Sequence, residues 1–252
     1  MRHRAAIVLA LTAAVLVLLP QASLARSDGS GRLTVFAAAS LTDVLPAVDP
    51  RPRYGFAGSD QLAFQIQQGA PADVFLAASP KYPELLYKQG LVQKPIQFAT
   101  NTLVLIVPKA NPAGIHAVAD LTKPGVKIVI GDPSVPVGAY TRTVLANLGI
   151  SAAVLKNVVS QETDVRNVLA KVALGEADAG FVYITDAKTV KGKVGVIAIR
   201  ESAQPHVVYE AAVVKSSPHL QAAYRFLTRL IRPAAQQTLE RFGFGPRPKP
   251  TP

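Results

Sequence analysis

The chain has no cysteine, no tryptophan and a single methionine. Without cysteine there is no disulfide, no thiolate metal site, no cysteine nucleophile and no lipid-modified N-terminal cysteine. Histidine is scarce as well. His3, His116, His206 and His219 are the only four, and no two stand at metal-ligand spacing. A Gly-x-Ser-x-Gly elbow is missing too. The nearest pattern, Gly58-Ser59-Asp60, lacks the second glycine, and a nucleophilic serine needs a base beside it. An exported hydrolase is therefore the weaker reading, and nothing in the sequence calls for a cofactor. Aromatic residues are only 6% of the chain and do not alternate with basic ones, so no stacking platform for nucleic acid is expected.

What is present is an apolar, moderately basic chain. Of its 252 residues 49% are hydrophobic and 17% charged, which suits a folded protein with one large core or two smaller ones. The formal net charge is +11, but the basic residues are scattered. Their one dense cluster, residues 241–249, is rich in proline. Such a balance favours solubility and a mild attraction for anions.

The N-terminus has its own grammar. Arg2-His3-Arg4 is followed by an apolar run over residues 5–19 and by Ser23-Leu24-Ala25. That is the pattern of a secretory signal cleaved after Ala25. Read instead as a retained anchor, the run falls short of the ~20 residues a membrane span needs. An exported or periplasmic protein is expected, with residues 1–25 as signal and 26–31 as a linker.

From residue 33 onward short apolar runs alternate with helix-period segments. Runs at 33–38, 74–78, 103–107, 127–130, 179–183, 194–199 and 207–214 read as strands. Tyr140, Val144, Leu145 and Leu148 share a helical face, as do Val165, Val168, Leu169 and Val172. Alternating strands and helices predict an α/β architecture with parallel sheets. The runs at 103–107 and 207–214 stand where the chain would cross between lobes and return. The expected division is a discontinuous first lobe (32–107 with 208–246), an inserted second lobe (108–207) and a tail (247–252). A single last helix is expected over 220–242.

Three places share one arrangement: an apolar strand, then small or hydroxyl residues, then a helix start. They are Val35-Phe36-Ala37-Ala38-Ala39-Ser40-Leu41, Phe56-Ala57-Gly58-Ser59 and Val74-Phe75-Leu76-Ala77-Ala78-Ser79. Ser40 with Asp43 three positions on has the spacing of a capping box. Strand ends and helix starts of an open α/β sheet converge on one crevice, and helix N-termini there offer free N–H groups that suit an anion. Any one serine alone would be an ordinary cap. Three such loops in one chain point to a binding crevice.

The same segments resemble the successive signatures of the periplasmic molybdate-binding proteins, whose fold is the two-lobed type II periplasmic-binding-protein fold with a central ligand cleft. Gly69-Ala70-Pro71-Ala72-Asp73-Val74-Phe75, Gly131-Asp132-Pro133, Pro136-Val137-Gly138-Ala139-Tyr140, Asp164-Val165-Arg166, Val182-Tyr183-Ile184-Thr185-Asp186-Ala187 and Arg241-Phe242-Gly243-Phe244 continue the resemblance in order. It implies a monomeric binder that captures molybdate or tungstate and passes it to the permease and ATPase subunits of an ABC importer. Sulfate or another tetrahedral oxyanion is the runner-up ligand. Ser40 and Ser59 match serines that donate hydroxyl and N–H groups to the oxyanion. Ala78, Val137 and Val165 match backbone N–H donors, and Tyr183 a phenolic one. All six are neutral, and the anion's molybdenum would bond to none of them. Fixed neutral donors select by size where a flexible cation would add only attraction. Tyr183 alone would also pass as a core tyrosine. Asp164 reads as a helix cap, Arg166 as a structural pairing residue and Gly138 as a point of close backbone approach.

One stretch departs from the family. Residues 41–58 are shorter by roughly eight residues, about two helical turns, and contain Pro46, Pro50 and Pro52. Pro46 is expected past the first turn of a helix, bending it, with the strand before Ser59 shortened or shifted.

Overall fold

The computed structural model describes residues 31–248. The expected signal, all but the last residue of the linker, and most of the tail lie outside the described residues. Among the described residues no helix is long and apolar enough to cross a membrane.

Two five-stranded mixed sheets carry the fold. The chain builds most of the first with β1 (Thr34–Ala38), β2 (Arg53–Ala57), β3 (Val74–Ala77) and β4 (Ile96–Asn101). It then crosses to the second with β5 (Leu103–Pro108), β6 (Ile128–Gly131), β7 (Val158–Glu162), β8 (Ala179–Tyr183) and β9 (Val194–Ala198). It returns with β10 (Val207–Val213). The orders are β2-β1-β3-β10-β4 and β7-β6-β8-β5-β9. Each sheet thus has three parallel strands, then one antiparallel strand reached from the other sheet, then an edge strand. This is the two-lobed type II α/β architecture expected.

Three details of the sequence reading change. The run at 103–107 was expected to close the first lobe, yet β5 pairs with β8 and β9 in the second sheet. The crossing is Thr102, the one residue between β4 and β5. A buried apolar run does not say which sheet it joins. The last helix is two helices, α8 (Leu220–Leu230) and α9 (Pro233–Phe242). Pro233 lacks the N–H that would continue the first and stands where a second can begin. The stretch 41–58 keeps its strand whole: β2 pairs with β1 residue for residue from Thr34↔Arg53 to Ala38↔Ala57. The shortening falls on the preceding helix, α1 (Val44–Val48), a single turn. Pro46 is its third residue, where no ladder bond is lost, so it does not act as the expected bend.

Glycine matters where the second lobe turns from β6 into α4 (Pro136–Asn147). A Cβ on Gly138 would lie 2.0 Å from the Asp132 carbonyl oxygen and 2.3 Å from that of Gly131. The start of α4 is therefore pressed against the strand end, as the sequence suggested. Asp73, which touches no cleft residue, stitches the first lobe instead. It accepts hydrogen bonds from Thr34 N–H (2.7 Å) and Ser217 Oγ (2.5 Å) and contacts His219 Nδ1 (3.1 Å).

Candidate anion-binding cleft

The C-terminal ends of β1, β2 and β3 face those of β6, β7 and β8 across one small cavity. Its walls come from Ala38, Ala39, Ser40, Ala57, Gly58, Ser59 and Ala78 of the first lobe. The second lobe adds Val135, Pro136, Val137, Asp164, Val165 and Tyr183. All six residues singled out from the sequence line it. The cavity volume is about 10 Å3, the scale of a single water-sized occupant. Organic ligands take about 300–1,000 Å3.

The donors are left free by what stands before them. The turn Ala39–Leu41, the helix α2 (Ser59–Gln67) and α4 are preceded by Ala38, Gly58 and Val135, none of which makes a side-chain cap. The first N–H groups of a helix have no partner within it, so Ser40, Ser59 and Val137 keep theirs for the cavity. α6 (Val165–Ala173) is capped, and the cap proves the point. Asp164 Oδ1 accepts from Arg166 N–H (2.7 Å) and Asn167 N–H (3.0 Å). It thereby leaves the N–H of Val165, the first helical residue, as the one to spare.

The serine hydroxyls are set as donors by their neighbours. Ser59 Oγ accepts from Ala78 N–H at 3.1 Å, which leaves the serine proton for the cavity. Ala78 was expected to donate to the anion directly; in this geometry its N–H is engaged in orienting Ser59. Ser40 Oγ lies 2.8 Å from the Tyr209 hydroxyl, and Asn101 Nδ2 donates to that hydroxyl at 3.3 Å. With Tyr209 accepting from Asn101, its own proton is available to Ser40 Oγ, the arrangement that would leave the Ser40 proton for the cavity. The capping box expected between Ser40 and Asp43 is not formed. Asp43 pairs with Arg166 across the cleft instead, because a three-residue turn ends before Asp43 can fold back on it. Ser79, in the third loop, is buried without a hydrogen-bond partner and is not part of the cavity wall.

Tyr183 decides the chemistry. It is 1% exposed, yet its hydroxyl has no hydrogen-bond partner. Burial also drives its pKa well above the ordinary tyrosine value, so the hydroxyl keeps its proton and has it to offer. Leaving such a group unpaired costs about 1–3 kcal/mol. Among the described residues no lysine, arginine or histidine lines the cavity, and the one carboxylate there, Asp164, is turned to the helix start and to Asn167 Nδ2 (2.8 Å).

The lobes stand closed on this cavity. Ser134 Oγ of the second lobe donates to Asp60 Oδ2 at 2.7 Å, and Tyr82 of the first lobe donates to the Ser134 carbonyl at 2.5 Å. A Cβ on Gly58 would sit 2.4 Å from the Thr163 carbonyl oxygen, so only glycine admits this approach. The sequence reading missed this role of Gly58, because closeness across a cleft leaves no local signal.

Known proteins share this construction. The family model for bacterial extracellular solute-binding proteins matches residues 33–245. The chain belongs to this family. Among characterised members, the molybdate-binding protein ModA of Mycobacterium tuberculosis is 38% identical over 228 residues, 86% of each chain. ModA of Escherichia coli is 34% identical over 235 residues, 85% of this chain and 89% of that one. Of solved structures, the periplasmic molybdate-binding protein of Azotobacter vinelandii superposes with a TM-score of 0.75 at 23% identity, covering 87% of this chain and all of that one. As a family member this protein is a solute-binding protein.

Proposed function

We propose that the protein captures a tetrahedral oxyanion, molybdate or tungstate, in this cleft and delivers it to the permease and ATPase subunits of an ABC importer. It acts as a monomeric, exported binder with no catalytic step. The observation that carries the reading is the buried, unpartnered Tyr183 hydroxyl among uncapped helix starts. Donors converge from both lobes and, among the described residues, no free carboxylate is offered, which suits a fully ionised anion. Hydrogen phosphate would need an acceptor for its proton, and the carboxylate of Asp164 is engaged elsewhere. Names carried by relatives from several bacteria supply the element.

Calorimetric titration of the signal-free protein with molybdate, tungstate, sulfate and phosphate tests this. Molybdate and tungstate should bind with similar affinity and both should far exceed sulfate, since the neutral shell discriminates by radius. Sulfate binding as tight as molybdate would remove the size-selective reading. An absence of binding by all four would remove the oxyanion reading itself.

A further inference from the structure

We infer that Arg166 is the positioning residue through which lobe closure tightens the hold on the anion, an inference that rests on the oxyanion reading. Arg166 directly follows Val165, the first residue of α6 and part of the cavity wall. Its guanidinium has three partners. Nη2 donates to Asp43 Oδ2 of the first lobe. Nε lies 2.9 Å from Asp186 Oδ1, an ion pair not aligned as a hydrogen bond. Nη1 donates to Thr189 Oγ1 at 3.2 Å. Asp186 is fully buried, and its other oxygen accepts the Tyr183 N–H at 3.3 Å. Asp43 stands two residues after the turn that carries Ser40. One guanidinium thus ties together the segments bearing Ser40, Val165 and Tyr183.

The partners divide by lobe. Asp186 and Thr189 belong to α7 (Ile184–Thr189) in the second lobe and travel with Arg166. Asp43 is the only one of the three that opening would take away. Its side chain is 45% exposed and makes no cap bond with α1, and among the described residues its hydrogen bond is the one to Arg166. When the lobes close, Asp43 completes the guanidinium shell and fixes the α6 start and Tyr183 on the anion. When they part, Arg166 stays with Asp186 and the second-lobe donors relax. The contacts of Ser134 with Asp60 and Tyr82 are independent of this bridge, so losing Asp43 should loosen closure without abolishing it.

The test uses Asp43→Asn, Asp43→Glu, Arg166→Gln and the Asp43→Asn/Arg166→Gln double variant. Molybdate release is followed by competition and the ligand-free shape by small-angle X-ray scattering. Asp43→Asn should speed release about five-fold, as a partly screened ion pair allows, with association within two-fold and an unchanged melting temperature. Asp43→Glu should restore slow release, and the double variant should release no faster than Arg166→Gln alone. Ligand-free Asp43→Asn should scatter as a more open particle. Wild-type release rates in Asp43→Asn, or additive effects in the double variant, would overturn the coupling. If wild type takes up no oxyanion, the functional reading fails on its own. The scattering comparison still judges the latch then, and an unchanged radius of gyration would overturn it.

Discussion

The two walls of the cleft offer the same kind of donor but prepare it differently. On the first-lobe wall each hydroxyl is already held: Ser59 by Ala78 N–H, and Ser40 by the Tyr209 hydroxyl, which Asn101 holds in turn. On the second-lobe wall Val137 and Val165 stand in the first turns of α4 and α6, where N–H groups have no partner within the helix, and the Tyr183 hydroxyl has no partner among the described residues. The first wall is organised without a ligand. The second carries a penalty that a bound anion relieves. A binder built this way can take the anion on the first lobe and gain its remaining interactions as the second lobe arrives, which links closure to occupancy by differential contact.

The contrast breaks most severely if the walls cannot meet. Gly58→Ala places a methyl group against the Thr163 carbonyl across the cleft. Nothing within the first-lobe backbone obstructs it, since the other near atom is the Asp60 side chain. The variant should fold normally but lose roughly 100-fold in oxyanion affinity, the scale of a backbone overpacking cost. Titration and thermal melting of one sample check both halves. Wild-type affinity would show that the closed approach is not the binding state.

Next in size is a pair that separates the walls. Tyr183→Phe removes a hydroxyl that is unpaired without ligand, so the ligand-free protein should melt at the same temperature or higher, while affinity falls about 10- to 100-fold for a lost bond to a charged group. Ser40→Ala removes a hydroxyl that Tyr209 uses. It should lower stability by about 1 kcal/mol and weaken binding by about 1–3 kcal/mol. If both variants lose stability equally, the second wall is as well satisfied as the first and the contrast fails.

Most of this was legible because it is local. Buried strands such as β1, β3 and β8 are uninterrupted apolar runs, and the strand-to-helix loops showed through small residues where caps usually stand. The two strands the pattern missed are β4 and β7, both at sheet edges. Polar residues such as Gln97 in the first, and Ser160 and Gln161 in the second, break the apolar run there, as edge strands commonly do. What lay beyond the sequence is long-range pairing. Ser40 and Tyr209 are 169 positions apart, and Asp43 and Arg166 are 123 apart. The capping-box spacing of Ser40 and Asp43 was real, but a stronger partner across the cleft claimed the carboxylate. Pro46 looked disruptive only while the helix was assumed long.

The smallest expected effect concerns the support behind the second wall. Burial pushes the Asp186 carboxyl up to about 7, against the pull of Arg166 and the Tyr183 N–H. An acid whose folded pKa lies above its ordinary 3.8 binds protons more readily in the folded state. Its favourable contribution is complete below the ordinary value and is lost as pH rises through about 7. Asp186→Asn, which cannot titrate, should therefore gain in melting temperature relative to wild type as pH rises across that window. The two proteins should be nearest to one another in acid. The first wall holds no such buried carboxylate in its donor network, so Ser59→Ala should shift wild-type stability by the same amount at every pH. A pH-independent gap between wild type and Asp186→Asn would mean that Arg166 fully compensates the buried charge, and that the second wall is electrostatically as settled as the first.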